Sequence, residues 1–477
     1  MLSQLWAAST WYWVKLIVES EQIKRVTMEP LVRPKTEYKG ISKAIVAVVV
    51  PIGRAVGPIL KRLAWPIFLA AVLALIVFVW LVAKLVDPVH IWLVHVPWIV
   101  TDIAGVLGTL GFICLLAIVC IWGERKVAGH IQSRIGPMRT GGWHGWAQSP
   151  ADGLKLVAKE DTIPTSADRP MFRLAPYLAL VPAICAYTMI PFGFAWAFRD
   201  SDVSLLIVLG FLGVEVLGVI LAGWASNNKW SLFGGMREAC QLVSYEIPMG
   251  LSLLTAVAVA GTLRLTELGQ MQSGGWFHWL MFKNPFMFVA FFTYFVASLA
   301  SCNRTPFDLP EGESELVAGF HTEYSGFRFA MFFFGEYAAM FVVSALATIV
   351  FLGGWNSPFG TQGDIGPLWF IGKCSFLIFI QMWIRWTLPR IRLDQVMHAC
   401  VKYLLPMTMV VFLGGSLWQL YDNPAYPAFL SAAGVIRVIL ALLGLVLFGQ
   451  FFWLAGHGWI NRIRMVGRLG RRLMPGA

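Results

Sequence analysis

Ten apolar runs separated by short polar stretches organise the chain, near residues 64–86, 98–122, 174–198, 203–226, 241–263, 285–301, 327–353, 367–388, 402–420 and 428–456. Each is close to the roughly 20 apolar residues that carry a helix across a hydrocarbon layer. A helix satisfies its own backbone hydrogen bonds, which lipid cannot do for it. The pattern therefore predicts an all-α, polytopic integral membrane bundle. Residues 41–60 are apolar but hold Arg54 and two prolines, and read as an interfacial piece. His144 to Lys159 is too polar to span and is expected at the interface or against a partner. No internal repeat is visible, which argues against inverted transporter halves. No signal peptide is evident, since the first long apolar run begins far into the chain.

Composition agrees. Hydrophobic residues make up 58% and charged residues 13% of the 477, against about 25% charged in a soluble domain. Many of the 22 Trp fall near the ends of the runs, where an amphipathic ring suits the headgroup layer. The net charge of +11 lies in the segments between runs, which points to membrane orientation and away from nucleic acid. Lys35, Lys39, Lys43, Arg54, Lys61 and Arg62 precede the first run, and segments 123–173, 227–240, 302–326, 389–401 and 457–477 are rich in Lys and Arg. Segments 87–97, 354–366 and 421–427 have neither. One topology fits: both termini and the long polar loops are cytoplasmic. The seven cysteines are scattered singly with no C-x-x-C spacing, and the eight histidines are dispersed. No pattern for zinc, an iron–sulfur cluster or haem emerges.

Acids in unusual places carry the chemistry. The segment between the sixth and seventh runs holds Asp308, Glu311, Glu313, Glu315 and Glu323, five carboxylates in 16 residues. Such a cluster is either a solvated acidic loop or a packed group whose mutual repulsion spreads its protonation equilibria. Pro306, Pro310 and the apolar stretch Leu316 to Phe320 favour packing. Glu215, Glu246 and Glu336 fall within apolar runs, where an ionised group costs about 2.5–3.5 kcal/mol on insertion scales. Each either faces a functional cavity or pairs with an arginine to lock two helices. Glu246 stands out, with Tyr245 and Ser244 beside it to share hydrogen bonds or a water chain. Glu124-Arg125-Lys126 at the end of the second run is either a snorkelling anchor or a site, and Gly136-Pro137 turns the chain soon after.

Glu124-Arg125-Lys126-Val127-Ala128-Gly129 with Gln132-Ser133-Arg134-Ile135-Gly136-Pro137 closely resembles the opening signature of the H-type membrane subunit family of bacterial respiratory complex I, counterpart of mitochondrial NADH dehydrogenase subunit 1. The resemblance continues in order through Ala151 to Lys155, Lys159 to Asp161, Ile163-Pro164, Gly223 to Lys229, Gln241 to Glu246, Asn303 to Leu316, Pro389 to Gln395 and Leu405-Pro406. It covers about residues 98–420, which implies about eight core transmembrane helices plus one extra at each end. Residues 1–97 then form a basic leader with an extra transmembrane helix, and 421–477 an extra transmembrane helix with a basic cytoplasmic tail.

The resemblance implies a membrane subunit of a proton-translocating NADH:quinone oxidoreductase of the cell inner membrane, with quinone as substrate and no redox centre, metal, haem or flavin of its own. Implied partners are the other complex I subunits, above all those that bear the quinone site and the terminal iron–sulfur cluster, neighbouring membrane-arm subunits, and lipids. By position, Glu124, Arg125, Arg134, Arg304 and Arg392 would line the quinone chamber or its gate. Glu246, Asp308, Glu311, Glu313, Glu315 and Glu336 would form an acidic proton relay. The family usually has an acid two residues before its Asn-Arg-Thr-Pro motif, where this chain has Ser301 followed by Cys302. Glu215 would compensate if its face meets that loop. Two alternatives stay open: a homologous subunit of a membrane-bound hydrogenase or other dehydrogenase, and a free-standing ion-coupled transporter, against which the long loops argue.

Overall fold

A computed structural model of the chain describes residues 98–193, 197–360, 366–421 and most of 433–450. The leader, the expected span at 64–86, the interfacial piece at 41–60, the basic tail and much of the expected last span lie outside the described residues. Helices and short connections account for what is described, with no strand among it. The longer helices are α1 (Trp98–Ile131), α2 (Gln148–Ala158), α3 (Arg169–Tyr187), α4 (Ser204–Ala225), α5 (Lys229–Ala260), α6 (Pro285–Ser301), α7 (Gly326–Phe351), α8 (Gly366–Thr387) and α9 (Leu393–Tyr421). Seven of these are long and apolar enough to cross a membrane, and α6, at 17 residues, is a shorter apolar helix. These eight coincide with the eight apolar runs between residues 98 and 420.

Helix α7 is the centre of the bundle. In its most apolar stretch 83% of residues are buried, against 17% for α1. The hydroxyls of Ser344 and Thr348 donate to the carbonyls of Met340 and Ser344, each at 2.8 Å, so neither leaves a polar atom unpaired in the core. Exposed Leu, Val and Phe side chains run along the outer faces of α1, α4, α5 and α9, as a lipid-facing surface requires. The polar segment after α1 forms α2, whose Asp152 pairs with Arg125. Leu154 and Val157 of α2 are exposed.

Several helix boundaries differ from the reading of the apolar runs: α1 runs on to Ile131, nine residues past 122, and α3 spans Arg169–Tyr187 rather than 174–198. Helix α5 starts at Lys229, twelve residues before the run at 241, because the Asn228 side chain caps it by accepting from the Trp230 amide at 3.0 Å. The segment 227–240, expected as a loop, is therefore mostly helix. Ser231 and Glu238 on it are buried, while Lys229 is exposed. Helix α9 starts at Leu393 rather than 402 and passes through a π turn at Cys400–Leu404. Pro406 has no N–H to return to the carbonyl four residues back, which suits a wider turn there.

Helices α3 and α4 touch backbone to backbone at Gly218. A Cβ there would stand 2.4 Å from the Ala179 nitrogen and 2.7 Å from the Leu178 carbonyl carbon, and backbone cannot step aside. Gly218→Ala is expected to destabilise the protein by about 1–3 kcal/mol. Gly210→Ala on the same helix, with nothing within 4 Å, is expected to be neutral or to stabilise by up to about 1 kcal/mol. Thermal unfolding in mild detergent separates the two.

Candidate functional site

Three helices and one loop bring two acids and two arginines together in the core. Arg304, just beyond α6, is 0% exposed. Its Nη1 donates to Glu124 Oε2 of α1 at 2.7 Å, and its Nε lies 2.9 Å from Glu336 Oε1 of α7. Arg385 of α8 donates to Glu124 Oε1 at 2.8 Å and stands 3.8 Å from Glu336. The Tyr337 hydroxyl donates to Glu124 Oε2 at 2.7 Å, and the Arg304 guanidinium carbon lies 4.6 Å from the Tyr337 ring centre. Burial opposes the charge of Arg304, but Glu124 and Glu336 outweigh that and hold the guanidinium protonated more firmly than usual. With both acids ionised the four charges cancel, which is how a low-dielectric core tolerates them.

The acidic loop is packed rather than solvated. Phe307, Leu309, Leu316 and Phe320 are buried, and the Ile391 amide donates to the Pro306 carbonyl at 3.1 Å. The loop rests on α5 at Gly234, where a Cβ would come within 2.7 Å of the Phe320 nitrogen and 2.9 Å of the Pro310 oxygen. Asp308 is buried and accepts from Arg390 at 3.0 Å. Burial and the charge of Glu311 together hold the Asp308 carboxyl above its usual range, against the pull of Arg390. Burial would raise Glu311 as well, but the 3.0 Å bond to His321 Nε2 and the charges of Arg385 and Arg304 take it below the usual range. Glu315 sits on the surface, paired with Arg237 at 2.6 Å.

Two small crevices lie among these acids. One, of about 30 Å³, is lined by Glu215, Glu311, His321 and Glu336 together with Ser301, Cys302 and Asn303. The other, of about 20 Å³, is lined by Glu238, Gln241, Tyr245, Glu246 and Ser301. Each has room for one or two waters, not for a quinone ring. Glu215 and residues 301–303 line the same crevice.

Of the residues singled out from the sequence, Glu124, Arg304, Glu336, Glu215, Asp308 and Glu311 converge. Glu246 lies on the exposed side of α5 yet lines the second crevice, with its Oε1 against Gly213 of α4. Arg125, Arg134 and Arg392 stand apart: Arg125, partly exposed, pairs with Asp152, exposed Arg134 donates to Gln132 at 2.6 Å, and exposed Arg392 immediately precedes α9. The Glu313 side chain lies outside the described residues. Sequence reasoning missed Arg385, Tyr337, His321 and Glu238. For Glu238 the signal was available, since Asn228 as a helix cap would have placed it inside a span. Among the described residues no group of three His, Cys, Asp or Glu is arranged to hold a metal.

Removing Arg304 leaves two buried carboxylates to share Arg385 alone. Arg304→Met is expected to cost about 3–5 kcal/mol and to remove most folded protein from the membrane. Arg304→Lys recovers part of it, because an ammonium lacks the fork that reaches two acids. Membrane yield and thermal unfolding measure both. For Glu311, whose native carboxyl titrates low, the stabilisation is present above the ordinary value of about 4.3 and is lost as pH falls through the lowered one. His321→Gln is expected to cost about 1–3 kcal/mol at neutral pH, and unfolding curves should show the difference shrinking below about pH 4.

Residues 104–416 match the NADH dehydrogenase family. The chain is 47% identical over 326 residues to the H-type subunit of the NADH-quinone oxidoreductase of Chlorobium luteolum, covering 65% of this chain and 87% of that protein. It is 47% identical over 323 residues to the corresponding subunit of Geobacillus kaustophilus, covering 67% and 95%. With that of Anaeromyxobacter dehalogenans it shares 41% over 366 residues, covering 72% and 88%. A multi-span bundle matched over most of its described length by these relatives belongs to the H-type family of NADH-quinone oxidoreductase membrane subunits, the family of complex I.

Proposed function

We propose that this chain walls the quinone chamber of a proton-translocating NADH:quinone oxidoreductase in the cell inner membrane and couples quinone reduction to proton movement through its buried acids. The observation that carries this reading is the balanced group Glu124, Arg304, Glu336 and Arg385, which borders a water-sized crevice shared with Glu215 and Glu311. Reducing a quinone consumes two electrons and two protons. Negative charge arriving near a cancelled cluster in low dielectric shifts it strongly, and the least costly response is a change in which carboxyl holds a proton. The crevices give those protons water to move through. Electrons come from an iron–sulfur cluster on a partner subunit, and this chain contributes positioning and proton transfer. Arg125, Arg134 and Arg392, exposed or partly exposed on the isolated chain, are suited to the chamber mouth or the docking face of partner subunits, where arginine keeps its charge and offers forked donors. Glu313 belongs to the same acidic loop. The segments 1–97 and 421–477 are additions to this core that contact lipid or partner subunits.

The coupling half of the reading is tested at Glu246, which sits at a crevice rather than in the Arg304 ion-pair group. Glu246→Gln in the assembled enzyme, reconstituted into vesicles, is expected to lower proton translocation per NADH oxidised by roughly 10-fold or more, the scale of losing a positioned proton carrier. Unchanged translocation sinks the relay. The chamber half is tested by photo-crosslinking with an azido-quinone, which should label the segments around Arg125, Arg134 and Arg392.

A further inference from the structure

Glu238 is 2% exposed, on the third turn of α5. One of its carboxylate oxygens accepts from Asn303 Nδ2 at 3.0 Å, and the other has no partner. Gln241, also 2% exposed and one turn further on, has an unpartnered Oε1 while its Nε2 donates to the Ala300 carbonyl at 2.7 Å and to Asn303 Oδ1 at 3.0 Å. Both residues line the smaller crevice. Two buried acceptor oxygens without donors, beside a space of water size, call for a water that donates to them. An empty site would leave each oxygen with the full cost of its lost hydration.

The position of Glu238 matters as much as its missing partner. Ser301 lines both crevices, and Asn303, which donates to Glu238, lines the larger one with Glu215, Glu311 and Glu336. Glu238 therefore stands at the wall between the Glu246 side and the Glu215–Glu336 side. We propose that Glu238 is a proton-carrying residue which holds water in the smaller crevice and passes protons past Ser301 between the two sets of acids. This rests on the relay reading above and adds to it the residue that joins its two parts. In each transfer a water gives one proton to the Glu238 carboxylate and takes another from a neighbouring carboxyl. One O–H bond forms for each that breaks, the water is regenerated, and Glu238 returns to carboxylate on handing the proton onward.

A purely structural Glu238 would only hold the loop through Asn303. Glu238→Gln separates the roles, because the amide oxygen still accepts from Asn303 but the group carries no proton. In the intact complex reconstituted into vesicles, Glu238→Gln is expected to assemble and melt like the parent while proton translocation per NADH falls roughly tenfold or more. Moving the carboxyl across the same wall with Glu238→Ala plus Ser301→Glu should restore much of the loss, a rescue that a structural role does not predict. Should Glu238→Gln fail to assemble, Ser301→Leu fills the shared wall and leaves Glu238 in place, and it too should lose translocation. Parent-like translocation in Glu238→Gln or in Ser301→Leu, or an assembled double variant without rescue, overturns the proposal. If Glu246→Gln is impaired in the same assay the relay survives without Glu238; if Glu246→Gln is also parent-like, the relay reading itself falls.

Discussion

A guanidinium removed from water must be matched by carboxylates, and Arg304 imposes that constraint on the whole bundle. It draws Glu124 from α1 and Glu336 from α7 to the same point, and Arg385 from α8 closes the group. The helices that bring these side chains cannot slide past one another without separating charges where no solvent can heal the break. Central placement of α7 follows, since it alone carries both Glu336 and Tyr337 to that point. The acidic loop is then fixed as well, because Arg304 is its first anchor and Phe307 and Leu309 are its next.

The site has two tiers with different chemistry. In the first, charges are paired and the geometry is stiff: Glu124, Arg304, Glu336, Arg385, and the outer pairs Asp308 with Arg390 and Glu311 with His321. In the second, polar atoms are left incomplete beside small crevices, at Glu238 and Gln241, with Ser301 on the shared wall. Stiff pairs set an electrostatic balance, and the incomplete groups beside the crevices have room for water.

Much of the fold was legible in the sequence because lipid reads hydropathy directly: eight apolar runs became eight helices. The early start of α5 has a clear cause. A run of apolar residues marks where a helix faces lipid, and the polar side of residues 229–240 faces protein, so Gly234 and Glu238 look like loop although they are helix. The acidic segment was legible through its prolines and apolar interleaving, and Glu124, Glu336 and Arg304 through their motifs and their place in the apolar runs. Arg385 was not, because a lone arginine near a helix end reads as an orientation signal until its partner on a distant helix is known. Grouping Arg125, Arg134 and Arg392 with Glu124 and Arg304 followed their order in the motifs, but neighbours in sequence at a helix end point to different sides, and one side is surface.

The charged group also bears on how the protein is made. Its members arrive from the ribosome far apart in time, Glu124 and Arg385 being 261 positions apart. Arg304 emerges before α7 and can answer one of the two acids, but until α8 supplies Arg385 the group holds one acid more than it has arginines. Early spans are thus poor candidates for release into the bilayer one by one, and a chain cut short before Arg385 would display an unanswered negative charge at membrane depth, a mark by which quality control could tell unfinished copies from complete ones.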